Sequence, residues 1–184
     1  MPNEIGQWKK VKTISTHHFG NFYHVDVDEV TMPGGGSAQY SVVRIKPYVM
    51  ILPITANGQI IFVRQHRYTT NHIMIELPSG GSDGQDPLLA AQRELEEEAG
   101  VVSTSWSSLG QIEDSNGIVD QIGYMFLARD VQKIENPKLD PADKDMFEVL
   151  TFSIEEVKAK IANGEIFNAP TICTFAKAML MGLL

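Results

Sequence analysis

A change of hydrophobic period between residues 72 and 101 limits how this chain can fold more than any other feature. HIMIEL at 72–77 reads as a short strand, PSGGSDGQD after it is a breaker segment, and in PLLAAQRELEEEA the apolar residues recur at helical spacing. Both helix ends are chemically marked. Asp86 is suited to N-cap, Pro87 to the first helical position and Gly100 to the left-handed residue past the last turn, which predicts a helix over 87–99. A strand, a glycine-rich loop and a capped helix must therefore meet in one place.

That helix is acidic on one side. At about 100° per residue, Glu94, Glu97 and Glu98 fall together beside the apolar stripe of Leu88, Ala91, Leu95 and Ala99, while Glu96 faces away as a solvated charge. A run of glutamates can be no more than a solubilising face. Three carboxylates at the lip of a core, however, repel one another unless a cation lies between them. Oxygen-only donors with no nearby cysteine or paired histidine favour Mg²⁺ or Mn²⁺, with Ca²⁺ less suited.

The rest of the chain supplies strands and two more helices. WKKVKTIS, FYHVDVDEV and QYSVVRI within 8–45 read as two or three strands, with PGGGS at 33–37 as a flexible connection. YVMILPIT and QIIFVRQHR flank Asn57-Gly58 as a hairpin over 47–67. Further strands are expected near 106–113, 121–129 and 146–152. Ser153 and Glu156 form a capping box for a helix with Ile154, Val157 and Ile161 inward, ended by Asn163-Gly164. From about 170, Ile172, Phe175, Ala176, Met179, Leu180 and Leu183 predict a core-packing helix that includes Cys173 as a small core residue. The expected class is α/β, a mixed sheet in a sandwich.

Composition excludes several functions. The 184 residues, 43% hydrophobic, suffice for a domain with a real core, and 15 basic against 23 acidic side chains give a net charge of −8. No diffuse attraction to nucleic acid or anionic membranes is expected. A lone cysteine excludes an internal disulfide framework and a multi-cysteine metal site. MPNEIGQWKK lacks the order of a signal peptide and YVMILPI is too short to span a bilayer, so a cytoplasmic protein is expected.

The stretch from Gly80 to Val101, GGSDGQDPLLAAQRELEEEAGV, resembles the Nudix box: a glycine, five residues, a glutamate, seven residues, then REUXEEXGU with U a bulky aliphatic. Arg93, Glu94, Leu95, Glu97, Glu98, Gly100 and Val101 match the second half. Gln85 stands where the early glutamate is expected, and four residues separate it from Gly80, so the loop is one residue short. The resemblance implies a Nudix-like α/β/α sandwich with an N-terminal β-strand appendage. It implies Glu94 and Glu98 as main metal ligands, Glu97 as a ligand or as the residue that orients the attacking water, and Arg93 as the partner that orients a carboxylate, Glu97 foremost. It also implies the Ser79 carbonyl as a metal ligand.

VRQHRY at 63–68, IELPSGG at 75–81, SNGIVDQIGYMFLAR at 115–129 and FEV at 147–149 look like the ADP-ribose and nucleoside-diphosphate-sugar pyrophosphatases of that family. This implies substrate contacts from Arg67, Glu76 and Arg64, which could otherwise be ordinary strand-end charges. It places the general base in an acidic loop, at Asp143 or Asp145, with Glu113 and Asp120 in reserve; Asp140, Asp143 and Asp145 could equally be a solvated turn. Residues 1–45 would be dimerisation and base-pocket strands and 46–184 the catalytic domain. Trp8, Phe22, Tyr23 and Tyr40 could stack on a base or pack in an interface. The expected activity is Mg²⁺-dependent hydrolysis, with Mn²⁺ as a possible substitute, of ADP-ribose, GDP-mannose or a similar nucleotide sugar by a homodimer. The alternatives are a catalytically silent module that binds a nucleotide metabolite, and a hydrolase of nucleoside triphosphates or capped RNA.

Overall fold

A computed structural model describes residues 5–135, 137 and 148–184. In chain order its strands are β1 (Lys9–Phe19), β2 (Tyr23–Thr31), β3 (Ser37–Ile45), β4 (Tyr48–Pro53), β5 (Ile60–Arg67), β6 (His72–Glu76), β7 (Ser79–Gly81), β8 (Val101–Val102), β9 (Ser105–Ile112), β10 (Val119–Asp120), β11 (Gly123–Arg129), β12 (Gln132–Lys133) and β13 (Glu148–Phe152). The helices are α1 (Pro87–Ala99), α2 (Ile154–Ala162) and α3 (Ala169–Leu180). The chain divides into two compact units, one of Met1–Lys46 with Ser115–Gln121, the other of Pro47–Asp114 with Ile122–Leu184.

In the first unit, β1, β2 and β3 form an antiparallel meander and β10 joins β3 in parallel. Its charges are paired across strands. Arg44 binds Asp26, Asp28 and Asp120, while buried Asp28 also takes Lys10 Nζ at 2.8 Å and the Thr13 hydroxyl at 2.9 Å. A carboxylate sealed from water is tolerable only with such partners. The returning segment is tied down by Tyr40, whose hydroxyl donates to the Gly117 carbonyl, and by Gln121, whose amide donates to that of Lys46.

In the second unit the sheet order β7-β4-β11-β9 makes a mixed sheet, because β4 runs parallel to β11 and antiparallel to β7. Strand alternation builds two cores. Val49 and Ile51 of β4 and Phe126 and Ala128 of β11 join Ala90, Ala91, Leu95 and Ala99 of α1. Met50, Leu52, Met125 and Leu127 join Val157 of α2 and Phe175 and Ala178 of α3. Strands covered on both faces read as continuous apolar runs, as β4 does.

The helix boundaries agree with the caps. The Asp86 carboxylate accepts from the amides of Leu88 and Leu89, and Gly100 closes α1 at φ 64°. The capping box at Ser153 and Glu156 is formed. Elsewhere the structure corrects the sequence reading. The turn at Asn57-Gly58 is present, but β4 and β5 pair only at Ile54 and Ile60 and then diverge, since β5 is taken up between β13 and β6. Glu96 is half-buried and engaged, not simply solvated. Cys173 is exposed, and the buried face of α3 is Thr171, Thr174, Phe175 and Ala178. Hydroxyl partners make that face possible: Thr171 Oγ1 accepts from the Leu77 amide and Thr174 Oγ1 donates to the Pro170 carbonyl. Leu180 is left exposed.

Candidate active site

Strand β7 lies against α1 through a residue with no side chain. A Cβ at Gly80 would stand 2.1 Å from Cδ of Glu94, so the carboxylate occupies the space that only glycine leaves. One residue earlier, the Ser79 amide donates to Glu98 Oε2 at 2.8 Å. Glu94 and Glu98 are buried and Glu97 is partly so. The three carboxylates thus do border the core.

Arg93 lies among them. Its Nη1 meets Glu97 Oε2 at 2.7 Å and its Nη2 meets Glu94 Oε1 at 2.7 Å, while Nη2 also donates to the Gly81 carbonyl at 2.9 Å. The loop closes tightly to reach it. The Gln85 amide donates to the Ser82 carbonyl, with Asp83 and Gly84 both at positive φ between them, and Gln85 Oε1 then accepts from Arg93 Nε at 3.4 Å. Asp-Gly tolerates that conformation, which is how a loop one residue short still delivers residue 85 to the arginine. A neutral amide there leaves more of the guanidinium charge for the glutamates.

Burial is the largest influence on Glu94 and pushes its carboxyl up to about 7; Arg93 opposes the rise and the charge of Glu97 adds to it. The donor set suits a hard divalent cation: carboxylate oxygens, with a buried group short of positive charge. As placed, with Glu94 and Glu97 on Arg93 and Glu98 on the Ser79 amide, no three acidic, histidine or cysteine side chains among the described residues are grouped to hold a metal.

A second cluster surrounds Glu76, which is 2% exposed. Its Oε2 accepts from Arg67 Nε at 2.9 Å, Arg67 Nη2 at 2.6 Å and Gln65 Nε2 at 3.2 Å; its Oε1 accepts from Asn168 Nδ2 at 3.0 Å. Glu76 pairs with Val63 in the register of β5 and β6, so alternation puts Gln65 and Arg67 on its face, the one that Ile61 presents to the α1 core. Arg64 is on the other face and pairs with Glu148. The structure therefore joins Arg67 to Glu76 and separates Arg64 from both.

Asp140, Asp143 and Asp145 lie outside the described residues. Of the reserve acids, Asp120 is committed to Arg44 in the first unit and Glu113 is exposed. Sequence reasoning missed Gln65 and Asn168. Strand period offered a signal for Gln65, two residues before Arg67; Asn168 offered only its cap position, since its partner is 92 positions away.

A NUDIX domain model matches residues 44–175. The chain is 33% identical over 165 residues to an ADP-ribose pyrophosphatase of Mycobacterium tuberculosis, covering 88% of this chain and 79% of that one. It is 29% identical over 164 residues to an ADP-ribose pyrophosphatase of Bacillus subtilis, covering 87% and 88%. A crystal structure of an ADP compounds hydrolase has the same fold, with a TM-score of 0.81 over 98% of each chain at 15% identity.

Two outcomes follow for the chain free of divalent cation. Between the ordinary value of 4.5 and about 7, the folded state keeps a proton on Glu94 that the unfolded state has lost. Stability to urea therefore falls by about 1–3 kcal/mol as pH rises through that window, and Glu94→Gln flattens the slope. Gly80→Ala expels the carboxylate from its slot, returning Glu94 towards the ordinary carboxylate range in an NMR titration at a cost of about 1 kcal/mol.

Proposed function

The chain belongs to the Nudix family and is a pyrophosphohydrolase, and from that premise we propose that its substrate is a nucleoside diphosphate joined to a sugar, ADP-ribose first, with AMP and ribose 5-phosphate as products. The observation that carries the reading is the set of three carboxylates beside Ser79–Gly81, Glu94 and Glu97 held by Arg93 and Glu98 by the Ser79 amide. The ADP-ribose pyrophosphatases among its relatives support the choice of substrate. Retention of that set favours turnover over a silent binding module, and the acidic balance disfavours capped RNA.

A divalent cation, Mg²⁺ or Mn²⁺ in its place, would be held by Glu94, Glu98, Glu97 and the Ser79 carbonyl, and would supply charge neutralisation at the diphosphate and a more acidic water. Arg93 keeps Glu94 and Glu97 at fixed positions and spares them mutual repulsion. Glu97, the least buried of the three, orients the attacking water. Arg67, anchored on Glu76, offers its remaining N–H groups to the diphosphate. Asp143 or Asp145 takes the proton of the attacking water. Arg64, paired with Glu148, has a weaker claim on substrate.

The first unit mediates self-association. β1 is the edge of its sheet and carries exposed Trp8, Val11, Ile14 and Phe19 on and beside an 11-residue strand. Long apolar edges are ready templates for a second copy. Among the described residues no helix is long and apolar enough to cross a membrane.

With Mg²⁺ and a panel of ADP-ribose, GDP-mannose and UDP-glucose, one sugar nucleotide is expected to yield its nucleoside monophosphate. Glu98→Gln keeps an acceptor for the Ser79 amide, so it should preserve Tm while turnover falls about a hundredfold or more. Failure to hydrolyse any of the three, or full activity in Glu98→Gln, overturns the reading. Val11→Lys with Ile14→Lys should convert a dimer to a monomer in sedimentation equilibrium; an unchanged mass overturns the role given to β1.

A further inference from the structure

Both ends of the Asn168 side chain are in use. Its Oδ1 caps α3 by accepting from the Thr171 amide at 2.9 Å, and its Nδ2 donates to Glu76 Oε1 at 3.0 Å. The assignment of oxygen and nitrogen is self-consistent, because an amide N–H needs an acceptor and a carboxylate needs a donor. A turn later, Thr171, fully buried, accepts from the Leu77 amide at 3.1 Å. The first turn of α3 thus grips residues 76 and 77, where β6 ends.

Glu76 has its other oxygen on Arg67, whose Nε and Nη2 both bind it. Arg67 itself is 42% exposed at the side chain, and among the described residues Nη1 has no partner. A guanidinium fixed along one edge and open along the other is aimed. Its aim depends on Glu76 not rotating, and with only Gln65 and Arg67 on one oxygen, the donor that holds the other oxygen sets the carboxylate plane.

We infer that Asn168 is a positioning residue which, through Glu76, holds the Arg67 guanidinium in the orientation that receives a phosphate group of the substrate. This rests on the reading of Arg67 given under the proposed function. Sequence periodicity places Asn168 at a helix start and nothing more. Its second role exists only because the fold brings it to a buried carboxylate.

Serine and aspartate cap helices about as well as asparagine, but the serine hydroxyl sits too close to the backbone to reach Glu76 and the aspartate carboxylate offers it no donor. Asn168→Ser should therefore lower Tm only modestly, by the loss of one hydrogen bond to Glu76, and Asn168→Asp, which sets a second carboxylate against Glu76, should lower it further. The Arg67 Nε–H, bound to Glu76 Oε2 in the wild type, should exchange about tenfold faster in both variants. With ADP-ribose and Mg²⁺, KM should rise about tenfold in Asn168→Ser while kcat changes less than about twofold. Arg67→Lys should raise KM alike, and adding Asn168→Ser to it should change little more, since both act on one contact. An asparagine that serves only as the cap of α3 would leave exchange and KM untouched in both variants. Unchanged exchange in both variants overturns the inference, whatever the substrate. An unchanged KM in Arg67→Lys overturns the reading of Arg67 instead, and the two failures are told apart by the exchange measurement.

Discussion

A carboxylate lodged where a Cβ would be is the contact on which the rest of the site depends. Glu94 fills the space over Gly80, and that approach locks α1 to β7 at one distance and one rotation. Once the helix is set, Glu98 falls on the Ser79 amide and Arg93 falls between Glu94 and Glu97. Burial raises the energy of the charged form of Glu94, and Arg93 offsets part of that cost. The site is therefore built under electrostatic tension, which a divalent cation would relieve.

What the sequence disclosed was mostly local. Asp86, Pro87 and Gly100 bound α1 at the residues their chemistry indicates, because caps act within one turn. The Arg93–Glu97 pair was legible for the same reason, at helical spacing of four. The Glu76 cluster was legible only in part. Arg67 and Glu76 are marked by the resemblance of VRQHRY and IELPSGG to the family's pyrophosphatases, but Gln65 and Asn168 are neutral and owe their roles to neighbours far along the chain.

The errors share one physical origin: apolar spacing does not record which polar groups will find partners. The inner face of α3 holds Thr171 and Thr174 because a backbone amide and a carbonyl satisfy their hydroxyls, and this turned Cys173 outward. The hairpin expectation failed in its pairing rather than its turn. β4 and β5 carry apolar residues on both sides, so each could be claimed by other strands, and β11 and β13 claimed them.

The first unit is assembled from two separated stretches of chain, since β10 comes from residues that follow the β9 strand. Arg44 cannot meet Asp120, nor Tyr40 the Gly117 carbonyl, until the chain has been made as far as those residues. During synthesis the meander must wait, with the open side of β3 unpaired, while about seventy residues emerge. Ribosomal order thus exposes that edge of the first unit until much of the second unit has been made.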